Sequence, residues 1–197
     1  MKIRVATPKD GKAIQRIYAP YVEKTNITFE YDVPSVEEMT RRIEEILKQY
    51  PYLVIEESGQ VLGYAYASRY HSRQAYQWDC ELSVYIDEKY HGKGLAKQLY
   101  QALLTLLKIM KIQNVYACIT HPNIKSENFH HKLGFTVIGC FHQAGYKFEK
   151  WHDVIWMEKS LSDKSQVQEV IPFCEISSTQ IELCLHNSCV QEGEFMV

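Results

Sequence analysis

The sequence feature that most limits the possible folds is a strand, a glycine turn and a helix start in direct succession. Residues 81–86 read Glu-Leu-Ser-Val-Tyr-Ile, and residues 87–97 continue Asp-Glu-Lys-Tyr-His-Gly-Lys-Gly-Leu-Ala-Lys. Backbone N–H groups at such a turn, together with the positive end of the helix, form a site for phosphate. Gly92 and Gly94 let the backbone approach an anion with no side chain in between. The segment therefore predicts a phosphate-binding turn, with the carboxylate of Glu81 on the strand that leads to it.

Two better-known phosphate-binding turns do not fit these residues. A P-loop needs Ser or Thr after its Gly-Lys pair, and Gly94 follows Lys93 here. A dinucleotide fingerprint needs a third glycine where Lys97 stands and an acid about 20 residues later, but residues 90–126 contain no Asp or Glu. Lys93 and Lys97 lie unfavourably at the positive end of the helix dipole, and a bound anion would account for them. An ordinary glycine turn before a helix remains the alternative.

Hydrophobic periodicity and capping residues predict one domain in which strands and helices follow the order β-α-α-β-β-β-α-β-α-β-β. Helix starts are indicated at Thr7–Asp10 and at Ser35–Glu38, where a hydroxyl residue precedes an acid by three positions. Two further helices are predicted over 95–111 and 126–133. The predicted strands cover residues 3–6, 52–56, 61–67, 78–86, 115–120, 135–141 and 154–158.

The predicted domain ends near Leu161, and residues 162–197 form a C-terminal tail whose structure the sequence does not define. Val167–Phe173 and Gln180–Leu185 are candidate strands. The tail would pair at a sheet edge, form a subunit contact or be poorly ordered, and the pattern does not choose among these. Because every candidate chemical residue precedes the tail, we expect its removal to leave catalysis largely intact.

Composition is that of an ordinary globular domain. The chain has 197 residues, 46% of them hydrophobic, and a formal net charge of −2. This charge gives no reason to expect nucleic acid or membrane partners, and no apolar run approaches the length of a membrane span. The first residues, Met-Lys-Ile-Arg-Val, predict a strand and lack the apolar core of a signal peptide.

The cysteine pattern predicts reduced thiols and a cytoplasmic protein. The chain contains no Cys-x-x-Cys pair among its six cysteines, which are Cys80, Cys118, Cys140, Cys174, Cys184 and Cys189. The first three lie in strand-like apolar runs and are expected to be buried. None of the cysteines, nor His142 or His152, has the spacing of metal ligands, so we expect no metal.

Several segments resemble the GNAT N-acetyltransferases. Residues 91–96, His-Gly-Lys-Gly-Leu-Ala, resemble the acetyl-CoA signature of that superfamily, although His91 stands where Gln or Arg is usual. An ordered set of further segments resembles the phosphinothricin (methionine sulfoximine) acetyltransferase branch over about residues 1–160. These segments are 75–78, 81–86, 121–123, 129–135, 144–147 and 151–154.

The resemblance implies a fold, a co-substrate and an assembly. The fold is the α/β GNAT fold, in which helices cover both faces of a mixed, splayed β-sheet. The co-substrate is acetyl-CoA, and the assembly is a homodimer. The cofactor-binding residues that it implies are Val84, Tyr85, Ile86, His91, Gly92, Lys93, Gly94, Leu95, Ala96, Lys97, Asn123 and Ser126.

Two residues are candidates for catalysis. Glu81 lies between Cys80 and Leu82, so strand alternation directs it to the face opposite these apolar side chains. An amine must lose a proton to attack a thioester, and the resemblance implies that Glu81 is the general base. The resemblance also gives His130 a role, either donating to the leaving thiolate or assisting deprotonation. The alternative for Glu81 is a solvated acid on the strand face, and the alternative for His130 is a structural histidine.

The resemblance also implies an acceptor pocket that contains Phe29, Arg73 and Tyr76. An arginine there suits the carboxylate of an amino acid, whereas plain packing is the alternative for the two aromatic residues. The expected reaction is acetylation of a small amino acid analogue such as phosphinothricin or methionine sulfoximine. A peptide N-terminus or a polyamine is the alternative acceptor, and an inactive CoA-binding sensor is the alternative class.

Overall fold

A seven-stranded mixed sheet forms the centre of the molecule in the computed structural model, which describes residues 1–190 and side chains through residue 186. The strands are β1 (Lys2–Val5), β2 (Tyr52–Glu57), β3 (Gln60–Arg69), β4 (Asp79–Ile86), β5 (Asn114–His121), β6 (Thr136–Lys147) and β7 (Lys150–Ser160). Their order across the sheet is β1-β2-β3-β4-β5-β7-β6. Among the described strands, only the β4–β5 pair is parallel, and all other neighbours are antiparallel.

Helices cover both faces of this sheet, as predicted. Within the described residues the α-helices are α1 (Gly11–Lys24), α2 (Val36–Leu47), α3 (Leu95–Ile109), α4 (Ile124–Lys132) and α5 (Ser178–Val190). Helices α1 and α2 pack with β2 and β3 in one apolar cluster, whereas α3 and α5 belong to a second cluster on the other face. No helix among the described residues has both the length and the apolarity for a membrane crossing.

The first two helices begin where their capping residues predict. The Thr7 backbone N–H donates to the Asp10 carboxylate at 2.7 Å, and a 3-10 turn at Pro8–Asp10 leads into α1. The Ser35 hydroxyl accepts the Glu38 backbone N–H at 3.1 Å at the start of α2. These bonds satisfy N–H groups that have no partner within the helix.

Strands β4 and β5 separate after a short stretch of pairing, and this separation creates the candidate site. Asp79–Glu81 pair with Asn114–Tyr116, but β4 continues to Ile86 and β5 to His121 without further pairing between them. Beyond Glu81, backbone groups of the two strands therefore face a gap rather than each other. The sheet is splayed, as the resemblance implies.

Neither candidate strand of the C-terminal tail is present. Gln180–Leu185 lies within the helix α5, and Val167–Phe173 contains no strand. The tail packs on the domain: the backbone N–H groups of Ile171 and Phe173 donate to the carbonyl oxygens of Met110 and Gln49, each at 3.0 Å. The buried tail side chains that join the α3-side cluster are Phe173, Ile176, Cys184 and Leu185.

We expect Phe173→Ala to destabilise the protein by about 3–5 kcal/mol, because a buried phenylalanine leaves a cavity when truncated. For a chain of this size, each kcal/mol lowers Tm by roughly 2–4 °C. Val167→Ala is the matched control, since Val167 is 73% exposed and Phe173 is 5% exposed. Equal melting temperatures for the two variants would show that the tail does not contribute to the folded core.

The prediction of three buried cysteines in strands is correct only for Cys80. Cys118 and Cys140 are exposed, because Cys118 lies on a part of the sheet that α1 and α2 leave open and Cys140 lies on the edge strand β6. Cys80, Cys118, Cys140 and Cys174 are present as thiols. The side chain of Cys189 lies outside the described residues.

Candidate active site

The gap between β4 and β5 contains a cavity of about 70 Å³. Five of the predicted site residues line it, namely Val84, Tyr85, Asn123, Ser126 and His130. The other lining residues are Ile27, Leu82, Ser83, Tyr100, Ala117, Cys118, Ile119 and Thr120. The structure therefore brings residues from β4, β5 and α4 together, although they are far apart in the sequence.

Glu81 occupies the last paired position of β4, at the point where the gap opens. It lies opposite Ser68 of β3 and Tyr116 of β5. The side chain is partly buried, and this desolvation raises the pKa of its carboxyl group. A raised pKa brings a carboxylate closer to the neutral range in which a general base works best. Desolvation and then the charge of Glu81 raise the pKa of the Cys118 thiol to about 12.

The backbone of β4 offers an N–H group to the gap. The Asp87 N–H donates to Leu62 of β3 at 2.9 Å, so the alternate N–H groups of Val84 and Ile86 face away from β3. The Ile86 N–H donates to the Tyr21 hydroxyl at 3.3 Å. The Val84 N–H thus faces the cavity, where it is placed to polarise a carbonyl group.

Tyr85 contributes to the cavity differently from its neighbours. Its ring packs edge-on against Tyr18 and Tyr21 of α1, at centroid separations of 4.9 and 5.1 Å. The side chain therefore anchors β4 to α1, and the Tyr85 backbone N–H, like that of Asp87, faces β3 and not the cavity.

The turn before α3 has the backbone conformation that the two glycines predict. Gly92 and Gly94 both have φ of 77°, in the left-handed region that favours glycine. Gly94 is the N-cap of α3, whose first turn contains no acid. The N–H groups of Leu95, Ala96 and Lys97 open the helix and have no carbonyl partner within it. This turn can bind a phosphate group.

Lys93 and His91 of the turn have different surroundings. The Lys93 ammonium lies 4.8 Å from the centre of the Tyr90 ring. The imidazole of His91 contacts the Tyr21 hydroxyl at 2.9 Å and the Ile86 carbonyl oxygen at 3.0 Å. His91 therefore holds the turn against the end of β4, which is a structural role for the residue that departs from the usual signature.

Asn123 and Ser126 open α4 at the opposite wall of the cavity. The Asn123 side-chain oxygen accepts the Ser126 backbone N–H at 3.1 Å. This is an N-cap, so the structural role considered from the sequence is present. Both residues also line the cavity, so capping does not exclude contact with a ligand.

His130 is buried and paired with a residue that sequence reasoning missed. Its Nδ1 lies 2.8 Å from the Ser126 carbonyl oxygen, which can only accept, so Nδ1 carries the proton. Its Nε2 lies 3.1 Å from the Tyr100 hydroxyl. Desolvation lowers the pKa of His130, which favours the neutral ring, so Nε2 accepts and the Tyr100 hydroxyl donates.

Tyr100 lies on α3, where its spacing from Leu99 and Leu103 indicates only a core residue. It is 1% exposed, and its pKa is raised by desolvation and then by the charge of Glu81. Its hydroxyl nevertheless lies at the cavity wall beside His130. No sequence signal distinguishes it from the other aromatic residues of the core.

The three predicted acceptor residues lie in different surroundings. Phe29 packs closely on Gly145: a Cβ atom built on Gly145 would lie 2.2 Å from the Phe29 ring. Arg73 lines a second cavity of about 250 Å³, together with Arg69 and the tail residue Pro172. Tyr76 is exposed and lies beside His71, with ring centres 4.9 Å apart. The structure does not place these three residues in the cavity between β4 and β5.

An aromatic cluster that the sequence did not indicate lies next to Glu81. The ring of Tyr70 stacks on Tyr116, the register partner of Glu81, at 4.4 Å. Trp156 of β7 packs edge-on against Tyr70, with ring centres 5.7 Å apart. Tyr76 also packs edge-on against Tyr70, with ring centres 6.2 Å apart. Tyr76 thus connects the predicted acceptor loop to the residue beside the candidate base.

The fold and this site define a class of protein. A splayed mixed sheet, a glycine turn after β4 with free helix N–H groups and a carboxylate at the opening are the features of a GNAT acetyltransferase domain. The sequence profile described as "Acetyltransferase (GNAT) domain" matches residues 3–156. The chain belongs to this family.

Named relatives lie in one part of the family. The chain is 33% identical to phosphinothricin N-acetyltransferase of Streptomyces viridochromogenes over 89% of its own length and 96% of the relative. It is also 33% identical to L-methionine sulfoximine/L-methionine sulfone acetyltransferase of Salmonella typhimurium, over 83% of its length and 96% of the relative. A Sinorhizobium meliloti phosphinothricin acetyltransferase structure in complex with acetyl-CoA superposes with a TM-score of 0.81, at 32% identity, over 87% of this chain and 95% of that one.

Proposed function

We propose that this protein transfers the acetyl group of acetyl-CoA to the amino group of a small amino acid analogue such as phosphinothricin, methionine sulfoximine or methionine sulfone. The observation that carries the proposal is the position of Glu81, which directly precedes the cavity-lining Leu82 at the point where β4 and β5 separate. The named relatives support the choice of acceptor. The reaction needs no metal and no covalent enzyme intermediate.

Acetyl-CoA would bind with its phosphates at the turn of Gly92 and Gly94 and its pantetheine arm in the gap. The thioester carbonyl would then lie near the Val84 N–H, which stabilises the negative charge that develops on oxygen. Asn123 and Ser126 would contact the arm from the start of α4. Ile86 and His91 would keep the turn in place through Tyr21.

Glu81 takes a proton from the acceptor ammonium, directly or through a water molecule. The neutral nitrogen attacks the thioester carbon, a C–N bond forms, and the C–S bond breaks as the sulfur leaves. Tyr100 gives its hydroxyl proton to the departing sulfur once that hydrogen turns away from His130 Nε2, because neutral His130 carries its only proton on Nδ1, where the Ser126 carbonyl binds it. The nitrogen loses its second proton to solvent and a proton returns to Tyr100, so the products are the amide and the free thiol. His130 is then a positioning residue that orients the Tyr100 hydroxyl.

An acceptor screen that measures thiol release from acetyl-CoA tests the proposed function. We expect turnover with phosphinothricin, methionine sulfoximine or methionine sulfone. We expect Arg73→Ala to raise the KM for these acceptors far more than that for acetyl-CoA. Activity on a peptide N-terminus or a polyamine alone would assign the alternative acceptor, and binding of acetyl-CoA without any turnover would indicate a CoA-binding sensor.

We expect Tyr100→Phe to lower kcat on the order of 10²-fold, the range for losing an acid–base group, with little change in acetyl-CoA affinity. The ring, which packs on Phe129 at 5.2 Å, is kept. Tyr64→Phe is the matched control, because Tyr64 is also 1% exposed but lies in the cluster under α1 and α2. Similar kcat values for the two variants would refute the role of the Tyr100 hydroxyl.

We propose that the protein is a homodimer, with a reducing cytoplasm as its location. Exposed apolar side chains on β6 and β7 and in the turn between them support an interface, among them Phe141, Phe148 and Trp151, which are 58%, 55% and 55% exposed. The thiols of Cys80 and Cys118 are compatible with a reducing compartment. Light scattering should give twice the chain mass of 23.1 kDa, and a mass equal to one chain would refute the dimer.

A further inference from the structure

Three potential metal ligands from two strands meet at the edge of the sheet. Cys140 and His142 lie on β6, and Asp153 lies on the neighbouring β7. The Cys140 Sγ atom is 3.8 Å from His142 Nδ1, which is 3.1 Å from Asp153 Oδ2. All three potential ligand atoms lie within 4.8 Å of one another. None of these residues lines the cavity between β4 and β5.

A β-bulge brings the three side chains together. The register between β6 and β7 shifts between Phe141 and Gly145, and Gln143 within this stretch has φ of 51°. The Gln143 backbone N–H donates to Asp153 Oδ1 at 2.8 Å. This bond fixes the carboxylate so that Oδ2 faces His142. Sequence spacing did not indicate the cluster, because Asp153 reaches it through strand pairing.

Two of the three ligand separations are close to those expected for one cation bound by all three side chains. Bonds of about 2.3 Å to sulfur and about 2.0–2.2 Å to nitrogen and oxygen place tetrahedral ligands of zinc roughly 3.3–3.6 Å apart. The two neighbouring separations, 3.8 and 3.1 Å, differ from these values by a few tenths of an ångström, and the Cys140 and Asp153 ligand atoms lie within 4.8 Å of each other. Cys140 and His142 are exposed, so small rotations of their side chains can close the remaining distance.

The ligand types select the kind of ion. A thiolate and an imidazole favour borderline or soft transition metals over Mg²⁺ and Ca²⁺, which prefer oxygen. Three protein ligands leave a fourth position for water. We propose that Cys140, His142 and Asp153 form a site for a divalent transition-metal ion such as Zn²⁺, which links the bulge of β6 to β7 outside the acetyl-transfer site.

Titration of the untagged, reduced full-length protein with Co²⁺ tests this proposal, because cobalt bound to a thiolate shows a sulfur-to-metal charge-transfer band. We expect one equivalent of Co²⁺ to produce this band and Zn²⁺ to displace it. Cys140→Ser should abolish the band, and His142→Ala and Asp153→Asn should weaken binding about tenfold or more, since even groups beyond the ligands contribute 10–100-fold.

Cys174→Ser is the matched control, because Cys174 is also an exposed thiol but lies in the tail, outside this cluster. It should keep the band and its affinity. Any of three results would overturn the proposal: no band in the wild-type protein, a band that persists in Cys140→Ser, or unchanged cobalt affinity in both His142→Ala and Asp153→Asn. The readout is independent of acetyl transfer, so failure of the proposed function leaves this test unaffected.

Discussion

Replacement of Glu81 by glutamine is expected to lower turnover at neutral pH by about 10²-fold or more, the usual scale for losing a general base. Acetyl-CoA affinity should remain nearly unchanged, because Glu81 lies at the opening of the gap and away from the turn proposed to bind phosphate. Steady-state kinetics and thermal shift with acetyl-CoA measure the two effects separately. Wild-type turnover in Glu81→Gln would make Glu81 a strand-face acid without a catalytic role.

The pH dependence gives a second test of the same residue. Desolvation raises the pKa of Glu81, so the carboxyl group gains its proton, and stops acting as a base, at a higher pH than an ordinary glutamate. The wild-type rate should therefore fall with decreasing pH through this raised pKa. The deficit of Glu81→Gln should shrink as pH rises, because the acceptor amine then loses its proton without help.

A matched control for Glu81 exists on the same sheet. Glu158 of β7 is the other register partner of Tyr116. The two glutamates therefore lie on either side of Tyr116, on the two strands that neighbour β5. Glu158→Gln should leave turnover close to wild type. If Glu158→Gln and Glu81→Gln lose activity equally, the effect belongs to the charge of the sheet face and not to a base at Glu81.

Gly94→Val should abolish the stabilisation that acetyl-CoA gives to the folded protein. A ligand that binds only the native state raises its stability by mass action, by about 2.7 kcal/mol at a concentration of 100 Kd. In the free protein a Cβ at Gly94 meets nothing within 4 Å, but φ there is 77°. Valine is therefore strained at this position, and its side chain would also stand where the phosphates approach the N–H groups of α3.

Gly59 provides a control that separates strain from binding. It has φ of 80° in the turn between β2 and β3, and a Cβ there also meets nothing within 4 Å. Gly59→Val should carry a similar backbone cost, on the order of 1–3 kcal/mol, and keep acetyl-CoA affinity. A folded Gly94→Val protein with wild-type affinity would refute the phosphate-binding assignment.

Local sequence signals predicted the main elements of the domain. The capping residues Thr7 and Ser35 and the periodicity of the apolar residues define helices and strands through interactions within a few residues. The order of elements and the GNAT fold were confirmed. Element ends were less accurate: the predicted strand 135–141 runs to Lys147, because β7 pairs with it beyond the bulge.

The tail shows where local patterns fail. Ile181, Leu183 and Leu185 alternate as in a strand, but a helix places Ile181 and Leu185 on one face and leaves Leu183 59% exposed. The two-residue period of a strand and the 3.6-residue period of a helix both fit this short segment. Packing against α3 selects the helix, and that contact lies outside the information in a local window.

The sequence by itself determined the glycine turn before α3, which we propose binds phosphate, and the face of the strand on which Glu81 lies. Both depend on local geometry: glycines that accept positive φ, and the alternation of side chains along a strand. Only the tertiary structure decided that β4 and β5 separate after Glu81, that Tyr100 donates to His130, and that Asp153 meets Cys140 and His142. Each of these depends on pairing or packing between residues distant in the chain, which no local sequence pattern encodes.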